Sequence, residues 1–435
     1  MTAEVAIMNK LGVALAADSA ATITRGTPSL KDQKIYNSAN KLFTLSKYHP
    51  VGVMIFNSSD FMGVPWEVLI KLYRKHLKDD RFNTVRDYAD NLFSFLEKHW
   101  PEPESDHFYV QATAAQIARE ICQKADKAVK GQIEQKGSVD VSEIEQCLLD
   151  TLDEVLKLQE ESLGESECTD KEVTQLSKDF ESLLDQVAAP VFGNRPFKAA
   201  AKRKFRRVTA LIILLHPGVR KTGLVVAGYG EEQIYPSVLE FELTKLFSGK
   251  VASTEVSDST VSLGNSAVIA PFAQSGEVRT FLEGVGGSIK EFFQGPMKEA
   301  LTQNFPSSLA DEATKALGLK NEQATLLAKM AADMGTGAYE NIAAHLNQIS
   351  AERYVRPVVG TLTHLPVSEL AAMAETFINL ESFRKRVTMN AESVGGPVDV
   401  ATITKGDGFV WIKRKHYFKP DLNHQFFNNY FQEDH

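Results

Sequence analysis

Two short apolar runs, Val5–Met8 and Val13–Ala16, flank the tetrapeptide Asn9-Lys10-Leu11-Gly12. Runs of this length bounded by turn residues read as paired strands, so the chain opens on a hairpin. Lys41–Leu45 and Val51–Phe56 repeat the arrangement across Tyr48-His49-Pro50.

From Trp66 the period changes. Val68, Leu72 and Leu77 recur at helical spacing, and similar patterns run through Leu92 and Phe95. The stretch from about Asp106 to Arg207 reads as charged helix. Within it Ser142-Glu143-Ile144-Glu145 fits a capping box, with Ile144, Leu148, Leu152 and Val155 on one apolar face. Val173, Leu176, Phe180, Leu183 and Val187 form a heptad-like stripe. Strand character returns at Val208–Leu215, Gly223–Gly228 and Val261–Ala270, followed by helix from about Ser288 to Leu346. Another helix opens at Leu365-Pro366-Val367-Ser368, and strands Val398–Thr404 and Gly408–Arg414 close the chain. This order predicts an α+β fold with layers αββα and two helical insertions. The expected divisions are a first core part at 1–105, an insertion at 106–205, core strands at 206–285, a second insertion at 286–362 and a closing core part at 363–435.

The 435 residues are 43% apolar and 24% charged, which suits a water-soluble globular chain with a sizeable core. A net charge of −8 argues against general nucleic-acid binding. Cys122, Cys147 and Cys168 are too few for a disulfide framework or zinc site and suit a reducing cytoplasm. No secretory pattern is visible, and the longest apolar stretch falls far short of the ~20 residues a spanning helix needs. The histidines show no metal-ligand spacing, so no metal or cofactor is expected.

The chemistry points to the N-terminus. Met1-Thr2-Ala3 permits removal of the initiator Met, which would leave a hydroxyl and a free α-amine on Thr2. An α-amine with a pKa of about 7.7–8.0 can serve as the base that a hydroxyl nucleophile requires. Thr2 leads directly into strand, turn and strand, ending at Ala17-Asp18-Ser19-Ala20-Ala21-Thr22.

This pattern resembles proteasome β-type subunits and the simpler bacterial ATP-dependent threonine protease of the same family, which belong to the N-terminal-nucleophile hydrolases. The resemblance implies their four-layer αββα sandwich, with Thr2 as nucleophile. It also implies that Asp18 orients a lysine beside it, whose cation lowers the pKa of the Thr hydroxyl and amine. Two lysines compete. Lys34 lies at the family's usual distance from Asp18, whereas Lys41, in Lys41-Leu42-Phe43-Thr44-Leu45, has the better context and is preferred. The family's oxyanion glycine is replaced in Phe56-Asn57-Ser58-Ser59, where Asn57 tolerates left-handed backbone and neighbouring N–H groups are the expected oxyanion donors.

The resemblance extends to Gly223–Gly230 and to Phe383–Arg414 with its Gly395-Gly396 turn, where Glu392 and Ser393 stand near the family's Asp and Ser. Ser275, in Pro271–Gly276, is a candidate supporting hydroxyl, although its reading as a helix cap weighs more. The implied activity is amide hydrolysis of a peptide or protein in a homo-oligomeric ring, with an unfoldase as a conceivable partner. A non-catalytic assembly protein and a small-molecule amidase remain the alternatives. The basic run Lys198, Lys202, Arg203, Lys204, Arg206 and Arg207 reads as a solvated helix end ahead of a phosphate contact.

Overall fold

The computed structural model describes residues 2–27, 30–100, 104–166, 168–218, 221–388, 394–416 and 418–425, with backbone alone at 22–27, 30–33 and 420. In chain order the strands are β1 Ala3–Asn9, β2 Gly12–Ala17, β3 Ala21–Thr27, β4 Leu30–Tyr36, β5 Leu42–Thr44, β6 Val51–Phe56, β7 Asp60–Phe61, β8 Val64–Pro65, β9 Thr222–Gly228, β10 Ser237–Phe247, β11 Lys250–Thr260, β12 Ala267–Ala273, β13 Asp399–Thr404 and β14 Gly408–Lys413. The first seven helices are α1 Trp66–Leu77, α2 Val85–Lys98, α3 Ser105–Lys136, α4 Val141–Gly164, α5 Asp170–Asp179, α6 Glu181–Phe192 and α7 Ala199–Leu215. Six more follow: α8 Gly276–Glu283, α9 Gly287–Phe292, α10 Phe305–Leu317, α11 Asn321–Ser350, α12 Arg356–Leu362 and α13 Val367–Val387.

The chain is mixed α and β with antiparallel sheets. One five-stranded sheet runs β12-β1-β2-β13-β14 and the other β11-β10-β9-β6-β5. Strand alternation sorts their side chains. Ala6 and Met8 of β1 meet Met54, Phe56, Val225 and Ala227 between the sheets. Val5 and Ile7 instead pack outward against Leu370, Ala374 and Phe377 of α13. On the far side, Val53, Ile55, Leu224 and Val226 pack against Trp66 and Tyr73 of α1 and Leu92 of α2. Both sheets are thus covered twice, as their apolar first strands require.

The turn Asn9–Gly12 is fastened from outside. The Asn9 amide donates to the carbonyls of Leu362 and Leu365, each at 2.9 Å, tying the first hairpin to the entry of α13. Helices α3 to α7 form their own core around Ile117, Leu148, Leu152, Phe192 and Phe205. The buried Lys245 of β10 anchors α7 by donating to the carbonyls of Ile213 and of His216, the latter at 2.8 Å. A cation placed there complements the free carbonyls of a helix C-terminus.

Several expectations need correction. Val208–Leu215 is the end of α7, not a strand, and Val208, Ala210, Leu211 and Ile213 are all buried against neighbouring helices. A continuous apolar run does not distinguish buried helix from buried strand, and the preceding Ala199–Arg207 favours helix. The cap of α4 is Asp140 with Glu143, two residues before the expected box. The stripe from Val173 to Val187 is divided between α5 and α6 at Phe180, whose φ of −107° and ψ of 14° leave the helical region. The segment Val261–Ala270 is a turn leading into β12 rather than one strand. Hairpins β3–β4 and β10–β11 were not expected. β11 carries mostly Ser, Thr, Asp and Glu, and its few apolar residues, Val251, Ala252 and Val256, do not alternate regularly.

Among the described residues no helix is long and apolar enough to cross a membrane.

Gly228 joins β6, β9 and β10 at a φ of +140°, and a Cβ there would lie 1.9 Å from the Pro50 carbonyl oxygen. Gly228→Ala is therefore expected to destabilise the fold by about 2–3 kcal/mol. A urea midpoint unchanged from wild type would contradict this packing.

Candidate active site

The carboxylate of Asp18, just past the end of β2, gathers four donors. Oδ1 accepts the Ala3 N–H at 3.0 Å and the Lys41 ammonium at 2.6 Å. Oδ2 accepts the Ala20 N–H at 3.1 Å and the Gly395 N–H at 3.0 Å. Asp18 and Lys41 are both buried, at 1% and 6% exposure. An ion pair removed from water to this degree survives only when its remaining lone pairs are satisfied, and here both oxygens are.

Thr2 extends the ladder of β1 and β12 by one residue, its carbonyl accepting the Gln274 N–H at 2.9 Å. By strand alternation it falls on the face of Glu4, Ala6 and Met8, between the sheets. Thr2 is 7% exposed. Lys41 enters from the opposite sheet, its carbonyl held by the Ile55 N–H at 2.9 Å. The ion pair therefore bridges the two sheets beside the first residue of β1.

The alternative lysine is elsewhere. Lys34 lies exposed on β4, paired in register with Ile23, with its ammonium 5.1 Å from the Tyr36 ring centroid. The β3–β4 hairpin, inserted between Asp18 and Lys41, carries it out of the cluster.

Asn57 follows β6 at a φ of +68°, with the Ser58 N–H donating to the Phe56 carbonyl at 2.9 Å. The left-handed turn thus forms without glycine. Behind it, a cavity of about 300 Å³ is lined by Ser58, Asp60, Phe108, Tyr109 and Thr222, and none of the Asp18 cluster borders it.

Ser275 stands at the N-cap position of α8 but does not cap it through its side chain. Its hydroxyl accepts from Arg279 Nε at 3.0 Å. The cap is Glu381 of α13, whose carboxylate accepts the N–H groups of Glu277 and Val278 at 2.7 and 3.1 Å. Burial pushes the Glu381 carboxyl above its usual range, and these two bonds act against that rise. No local pattern could have revealed a cap supplied from about a hundred residues away. The Gly395 turn also receives the Ser19 N–H on its carbonyl at 3.1 Å, and Ser19 Oγ donates to the Pro397 carbonyl. Glu392 and Ser393 lie outside the described residues.

Glu4 is the residue that sequence reasoning passed over. It faces between the sheets in register with Ala17 and Phe272, and neither carboxyl oxygen has a hydrogen-bond partner. Burial pushes this carboxyl well above the usual carboxylate range. The Lys41 cation opposes the rise and the Asp18 carboxylate adds to it. A charged residue in an otherwise apolar strand was the available signal.

The basic run at the head of α7 is partly exposed, as a solvated end would be, and is also paired within the chain. Lys198 pairs with Glu145, Lys204 with Asp153, Arg206 with Asp185 and Arg207 with Glu160 and Asp170, linking α7 to α4, α5 and α6. Among the described residues no group of three His, Cys, Asp or Glu side chains is arranged to hold a metal ion.

No protein-family model matches this chain, and no curated protein matches it in sequence.

The raised Glu4 pKa has a consequence for stability. Above the ordinary value of 4.5 the unfolded chain loses this proton while the folded chain keeps it, so stability falls as pH rises through that window. Glu4→Gln removes the effect. Its stability relative to wild type is expected to grow above pH 4.5, by up to about 1.4 kcal/mol per pH unit. Urea midpoints of both proteins at pH 4, 6 and 8 measure the difference, and parallel curves would contradict the assignment.

Proposed function

We propose that the chain is an N-terminal threonine hydrolase of amide bonds, built on the N-terminal-nucleophile sandwich with two helical insertions. The observation that carries this reading is the buried Lys41–Asp18 pair, whose shared oxygen also accepts the amide next to Thr2. Such a pair fixes a cation beside the nucleophile. The layered pair of antiparallel sheets and the position of Thr2 at the head of β1 support the same reading.

In this mechanism removal of Met1 leaves Thr2 with a neutral α-amine. The amine takes the proton from Oγ as Oγ attacks the substrate carbonyl carbon, and the carbonyl π electrons move onto oxygen. The Asn57 backbone N–H would face that oxyanion, the Ser58 N–H of the same turn being held by the Phe56 carbonyl. Collapse breaks the C–N bond, and the departing amine takes the proton held by the Thr2 amine. The resulting ester is cleaved by water, with the same amine as base, which returns Oγ its proton. Lys41 stabilises negative charge developing at Oγ, and Asp18 holds Lys41 and the Ala3 amide in position. By resemblance the substrate is a peptide or protein segment and the assembly a homo-oligomeric ring.

Intact mass of the purified protein is expected to fall short of the full sequence by one Met residue, and Thr2→Ala to lower amide hydrolysis by at least a thousandfold. Retained Met1, or activity that survives Thr2→Ala, would rule the mechanism out.

A further inference from the structure

The far end of the sandwich carries a second concave site. Val51 begins β6 and Phe56 ends it, so the loop before Val51 lies about 17 Å from the Asn57 turn, at about 3.3 Å per residue. Here a cleft of about 1280 Å³ opens between the Lys47–Pro50 loop, the second half of α1, the Gly230 turn and Lys405 of the β13–β14 turn. Seven lysine and arginine side chains line it against two carboxylates, Asp79 and Glu231. Arg81 and Glu231 approach within 3.6 Å. Among the described residues no carboxylate forms an ion pair with Lys75, Lys78 or Lys405. Lys405 is held in place by neutral acceptors, the carbonyls of Gly230 at 2.7 Å and Glu231 at 2.8 Å, so its charge stays uncompensated.

The contrast with α7 is informative. There a comparable density of cations is paired with carboxylates on neighbouring helices, and the chain as a whole is acidic at −8. In the cleft Lys71 pairs with Glu67 and Arg81 approaches Glu231, whereas Lys75 and Lys78 from one segment and Lys405 from another converge without a carboxylate partner among the described residues. A concave surface lined by one sign focuses its field on a counter-ion of the other sign.

We infer that this cleft binds a small anion carrying several phosphate groups. Lysine and arginine tips dominate the lining, and Pro50 is its sole aliphatic member. Closely grouped ammonium and guanidinium tips favour a charge-dense ligand over an acidic peptide, whose carboxylates are spread along a backbone. An extended nucleic acid would carry its charge beyond the cleft onto a net-negative surface.

Inorganic tripolyphosphate is the probe, titrated calorimetrically into the full chain at physiological ionic strength. The expected result is one saturable site per chain, weakened at least tenfold by Lys75→Ala with Lys78→Ala and again by Lys405→Ala. Monophosphate is expected to bind at least tenfold more weakly than tripolyphosphate. Lys127→Ala with Lys130→Ala, exposed on α3, is expected to leave affinity unchanged, and circular dichroism checks each variant's fold. Absence of a saturable site, equal affinity for monophosphate, or equal loss in the α3 control would overturn the inference. So would tighter binding of hexaglutamate or a short RNA through Lys75 and Lys78.

Discussion

The Asp18 carboxylate is the constraint on which the rest of the candidate site depends. Its four donors come from the head of β1, the residue after Ser19, the start of β5 and the Gly395 turn. They are separated from it by 15, 2, 23 and 377 positions in the chain. One buried anion therefore fixes both sheets and the closing segment relative to Thr2. Losing one partner of such a pair leaves the other charge buried alone, which generally costs about 3–5 kcal/mol. The arrangement is held by stability as much as by any chemistry it performs.

Glu4 sharpens that picture. A second carboxyl beside Asp18 and Lys41, without a hydrogen bond, is a cost that the Lys41 cation offsets only in part. Protonation relieves it, because a neutral acid is far less expensive to bury than an anion. The Lys41 cation then answers chiefly to Asp18. Rigid support continues outward through Asn9, which ties the first hairpin to α13, and through Glu381, which caps the helix that follows Gln274. Nucleophile candidate, ion pair and supporting helix share one apolar frame.

Much of this was legible in the chain. Short apolar runs broken by turn residues marked β1, β2, β5, β6, β9 and β13, since each is buried along most of its length and carries few polar members. Thr2 and Asp18 stood out by a family resemblance in order and spacing and Lys41 by its sequence context, and the structure brings Asp18 and Lys41 into contact beside the head of β1. Spacing alone pointed to Lys34, because the hairpin inserted between Asp18 and Lys41 leaves no periodic trace. The α7 run was misread because a buried helix surrounded by other helices has no polar stripe to show its period. Glu381 and the ion pairs of α7 were invisible for another reason. They join residues distant in sequence, and only packing brings them together.

The central claim is that hydroxyl and α-amine of one residue act together next to Lys41. An α,β-epoxyketone tests it most directly, because its full reaction consumes a hydroxyl at the ketone and an amine at the epoxide. Peptide mapping after treatment is predicted to place a single adduct on a fragment beginning at Thr2, absent in Thr2→Ala and strongly reduced in Lys41→Ala. An unmodified Thr2 in a protein shown to lack Met1, or an adduct at another residue, would contradict the account.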